Sequence, residues 1–168
     1  MAERLSGLRK ADRKKWDKVF VPIIAVGFFV WLALMGLDAA RFRWSAVPMW
    51  LQAIGFLLLL ISYYVFYLTF RENPYLSPAL RIQKERGQKV VSTGPYRHVR
   101  HPMYAGFSLY VVGTALMLGS WLGVASGLLL IAAVARRAVL EERTLQQELP
   151  GYGEYMMRVR YRLIPEVW

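Results

Sequence analysis

The sequence contains no cysteine and only two histidines among its 168 residues. Without cysteine there is no disulfide framework, no thiolate nucleophile, no cysteine-bearing metal site and no palmitoylation site. Both histidines, His98 and His101, fall in one short stretch. A His-x-x-His pair alone is too sparse a ligand set, and the flanking Arg97 and Arg100 repel a cation, so no metal is expected. A serine triad is excluded because both histidines share that stretch and no nucleophile-elbow motif occurs. Gly-x-Gly-x-x-Gly and P-loop patterns are also missing, which excludes the familiar soluble nucleotide cradles.

Acidic residues are scarce as well, with 11 Asp and Glu against 22 Lys and Arg and a net charge of +11. Such a balance suits nucleic acid, but its distribution does not. Seven of the cations lie in residues 1–18, two in 38–46, seven in 71–102 and six in 136–168. The polar flanks and the middle loop are therefore basic, while the loop after the first apolar block is nearly bare. The positive-inside rule produces this asymmetry and places both termini on the cytoplasmic side. A basic juxtamembrane surface also suits anionic lipid headgroups.

Apolar residues make up 56% of the chain and stand in long blocks. The expected fold is all-α: an integral membrane helical bundle of about four spans, the last two a short hairpin, with helices beyond the last span. The length suits one domain. A basic lead, which includes Arg4, Arg9, Lys10 and Arg13, ends near Trp16 and Asp17. The first span is expected at 19–37, with Pro22 in its first turn, where a missing N–H costs little. It is longer than a signal-peptide core and no clear small-residue cleavage site follows, so it reads as a retained helix. Asp38, Arg41 and Arg43 form a short outer loop, with Trp44 and Trp50 as interface anchors. The second span covers 47–70 and ends in the aromatic run Tyr63–Tyr67, which suits an interfacial belt.

Residues 71–102 are too long for a simple turn. Asn73-Pro74 and Ser77-Pro78 break helix, 79–86 suits a short helix ended by Gly87, and 89–92 suits extended chain. Residues 103–135 carry no charge, yet one helix of 33 residues would reach about 50 Å, far beyond a hydrocarbon core of about 30 Å. Gly119-Ser120 divides the segment, and Gly106, Gly113, Gly123 and Gly127 offer small faces for close helix packing. The tail, 136–168, reads as a helix running to about Leu149, a break at Pro150-Gly151 and a second short helix. A small transporter fits poorly, because the spans show no buried charge and no clear repeat.

Two clusters are candidates for chemistry. Pro102 suits the first turn of the third span and holds His101 extended at the helix entrance, where free N–H groups and the helix dipole favour an anion. An interfacial polar cluster that anchors the hairpin is the other reading of the same residues, and His98 has the weaker claim. Arg137 and Glu141 are four apart and share a helix face, which also describes an ordinary surface pair. Glu142 points about 100° away. Two adjacent carboxylates at a membrane exit favour solvent or a cationic ligand.

Gly94-Pro95-Tyr96-Arg97-x-Val99-Arg100-His101-Pro102-x-Tyr104-x-Gly106 resembles the signature of the isoprenylcysteine carboxyl methyltransferase family. Glu141-Glu142-x-x-Leu145, Tyr152-x-x-Tyr155-x-x-Arg158-Val159 and Ile164-Pro165 resemble its second half. The resemblance covers about residues 71–168 and extends to phospholipid amine methyltransferases. It implies S-adenosyl-L-methionine as methyl donor, bound on the cytoplasmic side between loop, hairpin and C-terminal helix. By motif matching, Gln83, Gln88, Lys89, Val90, Val91, Tyr96, His101, Pro102, Met103, Tyr104 and Glu141 would contact the cofactor. Arg137 would face the substrate. Arg137 or Arg100 would orient a carboxylate acceptor, while an amine or thiol would need a proton acceptor, for which Glu142 is the candidate. The implied partner is a lipophilic acceptor entering from the bilayer between the second span and the hairpin. Eukaryotic prenylcysteine enzymes have more spans than the four expected here, so a lipid acid, a lipid amine or a small thiol all remain open as acceptor. A non-catalytic membrane scaffold of the same fold is the alternative from another class.

Overall fold

The computed structural model describes residues 14–168, so most of the basic lead, including Arg4, Arg9, Lys10 and Arg13, lies outside the described residues. The described residues form helices and connecting turns, with no strand among them. Helix α1 spans Lys15–Met35, α2 Met49–Glu72, α3 Pro102–Met117, α4 Trp121–Glu148 and α5 Tyr152–Arg158. Three of them, α1 with its continuation, α2 and α4, are long and apolar enough to cross a membrane. Helix α3 is a shorter apolar helix of 16 residues, about 24 Å. The chain is a multi-pass helical membrane protein.

The first span runs further than its apolar composition suggested. It starts at Lys15, which places Pro22 two turns inside the helix, and a π-helical segment, Gly36–Phe42, carries it onward. Asp38 and Arg41 therefore stand on helix and not in a loop. Asp38 is fully buried: its Oδ2 accepts hydrogen bonds from the Ser45 and Ser120 hydroxyls and from the Leu122 amide at 3.2 Å. This carboxylate ties the end of the first span to the α3–α4 turn, so the expectation of no buried charge was wrong. A polar residue read as loop thus satisfies an amide in the first turn of α4 and two hydroxyls at once.

The α2–α3 seam is closely packed backbone to backbone. A Cβ on Gly55 would stand 2.6 Å from the Met117 backbone nitrogen, and one on Gly113 would stand 2.8 Å from the Gly55 carbonyl oxygen. Closer to the loop, the Ser62 hydroxyl donates to the Gly106 carbonyl at 2.8 Å. Small residues let two backbones approach within van der Waals contact, which drives association where lipid removes the hydrophobic gain. On the other face, Gly123 and Gly127 admit Met35 and Trp31 of α1, and the Trp31 indole donates to the Gly123 carbonyl at 2.8 Å. Trp31, Met35, Val111, Ala115 and Leu130 form the buried cluster that joins α1, α3 and α4.

Helix α4 has 28 residues and is about 42 Å long, so it outruns a hydrocarbon core of about 30 Å. Arg136 and Arg137 mark its exit from the apolar segment, and Glu141 and Glu142 stand roughly 10 Å beyond Ala135. At this same end lie the α2–α3 connection and α5. The site is built there.

Candidate active site

The connection after α2 is irregular but closely held. Residues 79–83 are not helical, and only a 3-10 turn, Lys84–Arg86, forms in the predicted 79–86 helix. The backbone is drawn instead to polar partners: the Leu80 amide donates to Asp17 and the Gln83 amide to the Gln88 side chain. A second 3-10 turn, Gly94–Arg97, presents Tyr96, whose hydroxyl accepts from Asn73 at 2.8 Å. The Tyr155 hydroxyl of α5 donates to the Tyr96 carbonyl at 2.8 Å. Gly94 adopts a left-handed φ of 55° against Glu72, where a side chain would clash. The turn thus bonds to the end of α2 on one side and to α5 on the other.

Arg100 and His101 follow as a bend into α3, with His101 at φ −124° and ψ 63° rather than the extended geometry expected. Their amides donate to the Tyr161 and Arg162 carbonyls, both at 2.9 Å, so the C-terminal segment lies alongside them. The side chains continue the clasp. Arg100 Nε donates to Glu142 Oε1 at 2.6 Å, Arg162 Nε donates to Glu142 Oε2 at 2.8 Å, and His101 Nε2 lies 3.2 Å from Oε1. Facing a carboxylate that only accepts, Nε2 must carry the hydrogen. Burial alone would push the Glu142 carboxyl up, but these partners outweigh it and hold the group at about 2.

These contacts bear on the roles expected of Glu142 and Arg100. A carboxyl held at about 2 and engaged by three side chains is a poor proton acceptor at neutral pH, so the geometry does not give Glu142 that role. Arg100 is engaged as well: Nη1 donates to the Val159 and Arg160 carbonyls at 2.6 and 2.7 Å while Nε is held by Glu142. Its guanidinium fastens the tail to the cavity wall.

Beside this clasp opens a cavity with a mouth to solvent. Gln88, Lys89, Val90, Val91, Tyr96, His101, Pro102, Met103, Tyr104, Arg137 and Glu141 all line it, and Arg100 touches it. Eleven residues anticipated around a ligand thus meet at one void. Gln83 is not on the wall. It is buried, its side-chain amide donating to the Tyr75 carbonyl at 2.6 Å and its carbonyl accepting from Arg86 at 2.8 Å. It braces the loop that forms the wall. His98 is exposed and lies outside this cavity.

The cavity has two polar poles. At one, the Tyr104 hydroxyl donates to Glu141 Oε2 at 2.7 Å, one helix turn along α4 from Arg137. His101 stacks on Tyr104, with centroids 5.5 Å apart and planes 15° from parallel. At the other, the Arg137 guanidinium lies 5.7 Å from the Phe20 ring and 6.0 Å from the Tyr104 ring. Tyr152 and Tyr155 close the floor with Leu145 and Leu149. Burial raises both phenols above the ordinary tyrosine range, so they stay neutral hydrogen-bonding walls at physiological pH.

Sequence reasoning had no means of finding Asn73, Asp17 and the wall from Tyr75 to Arg81. Asn73 had been read only as a helix breaker, and the rest of the wall carries no spacing signal of its own. Tyr152 and Tyr155 stood within the recognised pattern but not among the expected contact residues.

Several apolar helices thus carry, at one end, an open cavity lined by both polar and apolar side chains, with Glu141 and Arg137 on its wall. Residues 50–151 match the family described as phospholipid methyltransferase, and the chain belongs to that family. Among curated proteins it is 35% identical over 82 residues to protein-S-isoprenylcysteine O-methyltransferase B of Arabidopsis thaliana, covering 48% of this chain and 42% of that one. A probable protein-S-isoprenylcysteine O-methyltransferase of Oryza sativa subsp. indica is 39% identical over 82 residues, covering 48% and 43%. The match thus spans less than half the length of these relatives.

Proposed function

We propose that the chain is one integral membrane methyltransferase unit that transfers a methyl group from S-adenosyl-L-methionine to a lipophilic acceptor, a carboxylate such as that of a prenylated cysteine. The observation that carries this reading is the meeting of Glu141, Tyr104, His101 and Arg137 around one cavity at the end of apolar helices. The donor set fits such a cofactor. Glu141 supplies a carboxylate for an ammonium, the entrance of α3 after Pro102 supplies backbone dipole for a carboxylate, and Gln88 to Val91 supply edge contacts. When bound, the cofactor supplies an electrophilic methyl group on a sulfonium. Tyr96, Tyr104 and Tyr152 line the cavity, and aromatic rings attract a cation.

The chain's own contribution is positioning and the exclusion of water. A carboxylate acceptor is already ionised and needs no base, and Arg137 is the cation placed to orient it. Glu142 and Arg100 take a structural role in this reading, clamping the tail against the wall. The lipophilic acceptor in this reading reaches the cavity from the bilayer. The distribution of Lys and Arg supports a cytoplasmic position for the site. A lipid amine is the second acceptor class, favoured by the description of the matching family.

The test is methyl transfer from radiolabelled S-adenosyl-L-methionine by detergent-purified protein to S-farnesylcysteine, in parallel with phosphatidylethanolamine vesicles. Label on S-farnesylcysteine supports the carboxylate reading, label on the lipid replaces it with the amine reading, and label on water-soluble acceptors alone contradicts access from the bilayer.

A further inference from the structure

The family match begins at residue 50, yet two side chains of α1 reach the cavity end of the molecule. Asp17 is completely buried. Its Oδ1 lies 2.9 Å from Arg137 Nη2, and its Oδ2 accepts the Leu80 amide at 2.8 Å. Arg137 Nη2 also donates to the Pro78 carbonyl at 2.6 Å. Phe20, one turn after Asp17, lies against the same guanidinium. Three segments far apart in sequence, the start of α1, the Pro78–Leu80 wall and α4, are therefore joined through one carboxylate–guanidinium contact.

A carboxylate taken fully out of water is costly unless charge and hydrogen bonds compensate it. A surface residue or an apolar one would close this end of α1 at lower cost. What the carboxylate adds is direction: it fixes the rotamer of a long, flexible cation that lines the cavity. We infer that Asp17 is a positioning residue for acceptor recognition, holding Arg137 and the Pro78–Leu80 wall in place so that α1 becomes part of the site. This rests on the reading of Arg137 as the acceptor-facing cation. Asp17 is sealed from solvent and does not touch the acceptor itself; it acts through Arg137.

Asp17→Asn separates positioning from folding. The amide keeps the size of the side chain and still accepts the Leu80 N–H through its oxygen, but it loses the charge that directs Arg137. In detergent-purified full-length protein, with S-farnesylcysteine as acceptor, the KM for S-farnesylcysteine is expected to rise roughly tenfold, the scale of a misplaced orienting group. Affinity for S-adenosyl-L-methionine, which concerns Glu141, should stay within about twofold by calorimetry. Asp17→Glu should recover part of the KM, and Asp17→Asn should add nothing in an Arg137→Gln background, since both changes remove one device.

An unchanged KM in Asp17→Asn overturns the inference. So does a parallel fall of cofactor affinity, acceptor KM and thermal midpoint, which describes a merely structural residue. A wild-type protein that binds S-adenosyl-L-methionine but neither binds nor methylates S-farnesylcysteine also overturns it, while leaving the methyltransferase reading standing for another acceptor. A wild-type protein that does not bind S-adenosyl-L-methionine removes the enzymatic reading, and this inference with it.

Discussion

Arg100 Nε stands 2.6 Å from Glu142 Oε1, and both side chains are about 5% exposed. The pair joins the segment ahead of α3 to the extension of α4 beyond the apolar core, two elements that together form a wall of the cavity. Arg162 takes the second oxygen of the same carboxylate and brings the C-terminal segment with it.

Removing the carboxylate therefore leaves buried cations without their partner. Breaking a buried, hydrogen-bonded pair from one side typically costs about 3–5 kcal/mol, and the partial exposure of Arg162 places this site toward the lower end. Glu142→Gln is expected to lower the thermal midpoint in detergent by several degrees and to expose the tail to proteolysis after Arg158 or Arg160. A midpoint unchanged within a degree would show that the clasp contributes little.

The same carboxylate sets an acid limit. Its value of about 2 in the folded protein lies below the ordinary 4.5, so its contribution is complete above about 4.5 and is lost as pH falls toward 2. Thermal midpoints of the wild type measured from pH 7 to pH 3 should fall below pH 4.5, and Glu142→Gln should flatten that limb. Equal slopes in the two proteins would assign the acid sensitivity to other carboxylates.

The α2–α3 seam makes a separate prediction. A Cβ on Gly113 would meet the Gly55 carbonyl oxygen at 2.8 Å, and backbone cannot swing away as a side-chain tip can. Gly113→Ala is expected to destabilise the protein by about 1–3 kcal/mol, the usual cost of overpacking. Gly27→Ala is the control, because the nearest atom to its added Cβ is the Leu130 Cδ2 at 3.5 Å. Equal midpoints for the two variants would show that the helices can part without loss.

Much of this architecture was legible because two simple signals were strong. Apolar runs placed α2 within two residues and the hairpin turn at Gly119-Ser120, and the glycines expected to mediate packing do so. Eleven expected contact residues meet at one cavity because helix spacing and the resemblance constrain the same segment. The failures are tertiary. Asp38 looked like a loop residue because its partners, Ser120 and Leu122, lie more than eighty positions away. Asp17 looked like the polar edge of a membrane helix because Leu80 and Arg137 are equally remote. Gln83 lies behind the cavity wall, and the 79–86 helix did not form because the Leu80 and Gln83 amides found side-chain acceptors in Asp17 and Gln88. Seam tightness between α2 and α3 depends on Gly55 and Ser62 facing Gly113 and Gly106, which periodicity does not reveal.

The central claim is that the cavity between Glu141 and His101 binds S-adenosyl-L-methionine. Calorimetry of the detergent-purified protein, alongside Glu141→Ala and His101→Ala, tests it most directly, with circular dichroism to verify that both variants stay helical. The account predicts saturable binding by the wild type and a loss of at least tenfold in each variant, the usual scale for removing one charge-assisted or buried hydrogen-bonding partner. No saturable binding by the folded wild type would contradict it and would leave a helical membrane scaffold in place of an enzyme.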